Sequence, residues 1–187
     1  REFYRHIIYN FPKVSKNKPF LDYTDKMVWS DNLAFFEAWK KGETGIPIVD
    51  AGIREMLSTG WMHNRTRMIV AMFLSKNLLI DWRWGEEFFM NNLIDGDIAS
   101  NNGGWQWSAS TGTDAAPYFR IMNPMTQSER FDPEGKYIRT WIPELKKCPT
   151  KDIHLPSNPE SYNYVTPIVD LKESRQNAIK AFEKLKN

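Results

Sequence analysis

The chain has one cysteine, Cys148, among 187 residues. That excludes a disulfide framework and any cysteine-rich metal site. It has three histidines, His6, His63 and His154, at no metal-ligand spacing, so a histidine-built metal centre is not expected either. No apolar run approaches the roughly 20 residues of a membrane span, and no secretory leader is visible. Neither sign of charge is in excess, with 25 Lys and Arg against 23 Asp and Glu. A uniformly basic, histone-like coating is thereby excluded, but a local basic patch is not. There is no phosphate-binding glycine loop of the Walker or dinucleotide type and no Ser-His-Asp arrangement. The chain starts at Arg1 inside a helix-like pattern, and the expectation is a piece of a longer cytosolic protein.

What is abundant is large and apolar: eight Trp, eight Met and 41% hydrophobic residues. Helical spacing dominates. Phe3, Ile7 and Phe11 recur every four residues. Leu33, Phe36 and Trp39 follow a Ser30-Asp31-Asn32 start signal. Pro47 suits a first helical position and Gly60 a helix end. The strongest helix is expected over 64–80, with Met68, Ile69, Met72 and Phe73 on one face. Others are expected around 86–94 and 168–186. No stretch keeps a period of two, so the expected fold is all-α. Residues 95–117, rich in Gly and small polar residues, read as a long irregular segment of functional importance. Residues 144–166 read as an extended surface segment.

Four constellations could carry chemistry. Asp95-Gly96-Asp97 is either a turn with Asp caps, favoured about two to one on motif length alone, or a ligand site. Arg65 and Arg67 open the 64–80 helix, where the helix dipole disfavours cations, so a carboxylate such as Asp95 or a phosphate should answer them. Trp105 and Trp107 follow Gly103-Gly104 and suit either core packing or stacking on a planar ring. Arg1, Arg5, Lys13, Lys16 and Lys18, with Arg65, Arg67, Arg120 and Arg130, form either a solvated face or a phosphate-tracking stripe.

Together REFYRH at 1–6, TGIPIVDAGIREMLSTGWMHNRTRM at 44–68, DGDIASNNGGWQW at 95–107 and TGTDAAPYFRIMNP at 111–124 resemble the DNA photolyase/cryptochrome family. The resemblance is strong over 1–141 and thinner over 142–187. It implies that residues 1–187 are the C-terminal portion of that family's helical FAD- and DNA-binding domain. The N-terminal α/β antenna domain and the first part of the FAD site have no counterpart in the chain. It further implies that Arg67, Asp95, Gly96, Asp97, Asn101 and Asn64 hold FAD, with Asn101 facing flavin N5. Trp105, Trp82 and Trp29 match an electron-transfer relay. Arg1, Arg5, Asn64, Arg65, Met68, Trp107 and Gln127 match positions that contact DNA or a flipped-out pyrimidine dimer, a lesion that must leave the stack to be reached.

The implied activity is light-driven repair of cyclobutane pyrimidine dimers by electron transfer from reduced FAD, in the prokaryotic cytosol. The alternative is a blue-light receptor of cryptochrome type without repair. Asn64 and Met68 stand where (6-4) photolyases carry paired histidines. Asn101 stands where plant and animal cryptochromes place Asp or Cys, and Met68 where DASH-type proteins place Gln. These differences favour a dimer photolyase of the common microbial type. Lys16 stands where folate-binding relatives contact a methenyltetrahydrofolate antenna. Alone, the chain is expected to be colourless, with apolar faces around Trp105, Trp107 and Phe119 left uncovered and prone to self-association.

Overall fold

The computed structural model describes residues 1–114 and 119–185, and over these the fold is helical, with no strand. Short helices succeed one another: α1 (Glu2–Asn10), α2 (Leu33–Lys41), α3 (Pro47–Thr59), α4 (Asn64–Met72), α5 (Trp82–Asn92) and α6 (Ile98–Ala109). They are followed by α7 (Pro124–Phe131), α8 (Lys136–Trp141) and α9 (Leu171–Glu183). The all-α expectation holds, and the local signals work as physics requires. Asn32 accepts from Phe35 N at 3.1 Å, a cap worth about 1 kcal/mol. Pro47 opens α3, and Gly60 closes it with φ of 71°.

The main core gathers Trp39, Ile53, Met56, Phe73, Trp82 and Trp105. Trp39 is its hub, with its ring 5.9 Å from Phe36, 6.2 Å from Phe89 and 6.1 Å from Trp105. Each such fully buried side chain stabilises the fold by about 1.5–3 kcal/mol. The expected long helix over 64–80 is shorter. α4 ends at Met72 and passes into a π turn, Phe73–Asn77. That turn carries Lys76 into the core. Its Nζ donates to Ala109 O at 3.1 Å and to Ser110 Oγ at 2.7 Å, capping the end of α6. The same atom lies 3.9 Å from the ring centroids of both Phe119 and Phe182. Burial pushes this amine well below the usual lysine range.

Three expectations are corrected. The segment expected to be irregular at 95–117 is a regular helix from Ile98 to Ala109; residues 115–117 lie outside the described ones. Asp97 caps it by accepting from Ser100 N. Glycine costs a helix interior about 1 kcal/mol, but Gly103 permits a contact no other residue could make. A Cβ there would sit 2.0 Å from the Tyr4 ring of α1. The helix shows no amphipathic stripe because both of its sides are occupied, one by packing and one by a cavity.

Residues 144–166 are only partly a surface segment. Leu145, Cys148, Ile153 and Tyr164 are buried in a second core cluster with Ile138 and Ile142. Each sits in or just after a short turn, so no helical period announces them. Lastly, Trp105 is 2% exposed and Phe119 packs on Phe182 at 4.6 Å. Uncovered apolar groups lie elsewhere, among them Phe3, Tyr9 and Phe11 near α1, Val28 and Leu33, Ile94 and Ile98 at the start of α6, and Phe131 at the end of α7.

Candidate functional site: a cavity between α4 and α6

The opening of α4, the Asp95–Asp97 turn and one side of α6 enclose a cavity of about 130 Å³. α4 contributes Asn64 with Arg67 and Met68, three and four residues after it, so its helical period delivers them to one face. The turn contributes Asp95, Gly96 and Asp97. α6 contributes Asn101, Gly104, Trp105 and Ser108 along one face.

Arg67 is fixed at both ends. Its Nε donates to Met62 O at 2.7 Å, and its Nη2 donates to both Asp95 oxygens at 2.9 and 2.8 Å. The expected ion pair therefore forms, with side-chain exposures of 25% and 46%. Asp95 keeps further lone pairs and Arg67 a further Nη1 donor group to offer. Asp97 takes the other reading of its motif: it is the cap of α6. Its Oδ2 accepts from Ser100 Oγ at 2.6 Å and Ser100 N at 3.2 Å, and Arg5 Nη2 approaches its other oxygen at 4.0 Å. The Ser100 hydroxyl, then the Ser100 N–H and the Arg5 and Arg1 charges, hold this carboxyl below the usual carboxylate range.

Asn101 Nδ2 donates to Glu86 O at 2.9 Å, which fixes its amide against α5. The next residue turns the other way. Asn102 Nδ2 donates to Glu86 Oε1 and to Val14 O, and Gln106 Oε1 accepts from Phe20 N. Burial raises the Glu86 carboxyl, partly offset by the Asn102 bond. α6 is thus pinned on one side and presents the other to the cavity. Gly104 lies on that presented side, and a Cβ there would meet nothing within 4 Å among the described residues.

Trp105 reaches from the cavity into the core, edge-on to Phe89 at 4.9 Å. It passes over Gly85, where a Cβ would lie 2.1 Å from its ring. Gly85 is three residues after Trp82 on α5. Trp82 is fully buried, with Arg83 Cζ 4.8 Å from its ring centroid. The indole N–H groups of Trp105 and Trp82 are buried with no acceptor among the described residues. Ser30 pairs with Ile80, which brings half-buried Trp29 to the start of α5, where it packs edge-on to Phe182 at 6.2 Å.

The residues expected to face DNA are more dispersed. Arg1 and Arg5 are exposed on α1. Met68 lines the cavity and Asn64 contacts it, Nδ2 to Sδ 3.9 Å. Arg65 turns out of the cavity toward Phe131. Trp107 is half-buried, with Arg120 Cζ 5.5 Å from its ring centroid, and Arg120 is itself paired with Asp114 at 3.3 Å. Gln127 lies on α7 with its Oε1 buried and without a partner among the described residues. Sequence reasoning missed Ser100, Gly104 and Ser108 as cavity residues. The one available signal was Ser100, three residues after an Asp cap.

The described residues contain no metal-binding cluster, and no helix among them is long and apolar enough to cross a membrane. An all-helical scaffold that pins one helix and opens its polar, glycine-bearing side to a cavity defines a helical cofactor-binding domain. Residues 1–184 match the FAD binding domain of DNA photolyase, and the chain belongs to that family. It is 56% identical to deoxyribodipyrimidine photo-lyase of Escherichia coli strain K12, over 98% of this chain and 40% of that protein. Among solved structures it is similar to a class III photolyase from Agrobacterium tumefaciens, at 45% identity and TM-score 0.92, over 100% of this chain and 41% of that one. It is also similar to a cryptochrome from Synechocystis sp. PCC6803, at 38% identity and TM-score 0.90, over 97% and 39% of the two chains. The chain spans about 40% of the length of these proteins.

Proposed function

We propose that this chain forms one wall of an FAD site and part of the DNA face of a light-driven photolyase that repairs cyclobutane pyrimidine dimers. The observation that carries the reading is the Arg67–Asp95 pair set beside Asn101, Gly104 and Trp105 in one cavity. The residues present fit a flavin nucleotide. Arg67 and Asn64 can donate, Asp95 and Asp97 can accept, and Gly104 leaves room where a side chain would intrude. FAD when bound supplies the photochemistry. The chain's own residues orient it, fix the Asn101 amide beside it and line the cavity with the buried Trp105 ring. Indole is the most easily oxidised side chain available, so Trp105, Trp82 and Trp29 suit a relay of short electron hops from the cavity outward. Met68 and Asn64 at the mouth suit a flipped-out base pair lesion, and Arg1, Arg5, Arg65, Trp107 and Gln127 suit the strand around it. The antenna chromophore, proposed as methenyltetrahydrofolate, rests on Lys16 alone.

The cavity is smaller than the roughly 300–1,000 Å³ of a complete small-molecule site. The chain alone should therefore be colourless and bind titrated FAD weakly, and a yellow preparation with stoichiometric FAD would show that one wall suffices. The functional test is a chimera in which this chain replaces the matching portion of the Escherichia coli relative. Blue-light repair of a dimer-containing oligonucleotide is expected. The likeness to the Synechocystis cryptochrome supports a second reading, a light receptor without repair. FAD binding by the chimera with no repair would favour that reading and sink the first.

A further inference from the structure

Phe131, the last residue of α7, is 48% exposed. Two guanidinium groups converge on its ring. Arg65 Cζ, from the first turn of α4, lies 4.5 Å from the ring centroid, and Arg130 Cζ lies 5.2 Å from it. Neither arginine has a carboxylate within 4.0 Å among the described residues, whereas Arg54, Arg67 and Arg83 all do. Arg65 also sits at a helix N-terminus, where the dipole opposes a cation. Two like charges on one ring, unneutralised, repel each other, which offsets part of the attraction each has to the ring. The arrangement becomes favourable when anions bridge or flank the pair. An exposed aromatic ring costs solvation but holds a guanidinium at its face by about 0.5–1 kcal/mol. It also lowers the conformational freedom that a long side chain loses on gripping a ligand.

Resting on the DNA reading above, we propose that Phe131 is a positioning residue. Its ring pre-sets Arg65 and Arg130 as a paired clamp for neighbouring phosphates of one DNA strand, beside the mouth of the cavity. Phosphates fit because they recur at short intervals along the strand, and guanidinium groups engage them through two parallel donors. Arg65 links this clamp to Asn64, its sequence neighbour in the cavity, so strand grip and lesion placement share one helix turn.

The test is duplex-DNA binding by the 187-residue chain, read by fluorescence anisotropy across a salt series. Phe131→Leu keeps an apolar side chain but removes the aromatic face, and Phe131→Tyr keeps it. Phe131→Leu should weaken binding by about 3- to 10-fold, the loss of one or two exposed cation–π contacts. Phe131→Tyr should bind like the wild type. In the Phe131→Leu background, Arg130→Ala and Arg65→Ala should each cost less than they do alone, and each should lower the salt slope by roughly 0.9 per phosphate lost. A ring that is merely structural would leave the arginine effects additive, and additivity overturns the proposal while leaving the DNA reading intact. A wild-type chain that shows no salt-dependent binding overturns the DNA reading itself, and the proposal with it.

Discussion

Asp50 and Asp95 are both aspartates that close a polar cluster, and they are built in opposite ways. Asp50 is fully buried and accepts four hydrogen bonds. Thr44 N donates at 2.8 Å, Thr44 Oγ1 at 2.6 Å, Gly45 N at 2.9 Å, and the Tyr164 hydroxyl completes the set. Asp95 is half open and accepts from Arg67 alone among the described residues. The first cluster uses all its hydrogen-bonding capacity internally and ties the 142–166 segment to α3. The second holds capacity in reserve. The same residue type thus serves as a rivet where every donor is spoken for, and as a receptor where some are not.

Substitution offers the sharpest way to break this comparison. Asp50→Ala leaves several buried donors without an acceptor, each costing about 1–3 kcal/mol. A total loss of at least about 3 kcal/mol is expected, a large share of the roughly 5–15 kcal/mol that holds a domain together. Asp95→Ala removes a solvent-screened pair and should cost less than about 1 kcal/mol. Urea unfolding of the two variants side by side measures both. Equal midpoints would show that the two clusters do not differ in kind.

Two glycines sharpen the same contrast with a smaller effect. Gly85→Ala drives a methyl into the Trp105 ring and should cost about 1–3 kcal/mol as an overpacked core. Gly104→Ala meets nothing and should raise helix stability by up to about 1 kcal/mol, while placing its methyl at the cavity. Thermal melts give both signs. A destabilised Gly104→Ala would mean that its side of α6 is already filled.

The smallest effect concerns Asp97. Its pKa in the folded chain lies below its unfolded value, so its stabilising contribution is complete above about pH 3.9 and is lost as pH falls through the folded-state pKa. Asp97→Asn, still a competent cap but without the charge, should flatten the decline in urea midpoint below about pH 4 and lower the midpoint at pH 7 slightly, by what the wild type loses on acidification. An acid limb identical to wild type would mean that the Ser100 and Arg5 contacts do not favour the charged form.

The helices that bury one stripe were legible. Asn32, Pro47 and Gly60 act locally, within one turn, so their identity was enough. The Arg67–Asp95 pair was legible for a different reason: a cation at a helix start needs an answer from elsewhere, and an acidic motif was at hand. α6 was not legible, because Gly103 and Asn102 look like loop residues until Tyr4 and Val14, far away along the chain, supply the contacts that make them helical. Leu145, Ile153 and Tyr164 escaped for the same reason. Their burial follows from Asp50 and Gly135 in three dimensions and from no period along the chain. Phe131 offered no signal at all, since a ring shared by two arginines from different helices exists only once α4 and α7 are in place.

The amine of Lys76 gives the molecule a built-in clock. Sealed under Phe119 and Phe182 and bonded to the end of α6, it is closed to an acylating reagent for as long as α9 stays docked. Once α9 lifts, the amine regains water, an ordinary basicity and a reaction partner. The extent of labelling at this one position, read by mass spectrometry against the exposed lysines, therefore counts openings of the core. It measures how often the last helix lets go of the π turn whose Lys76 holds the end of α6.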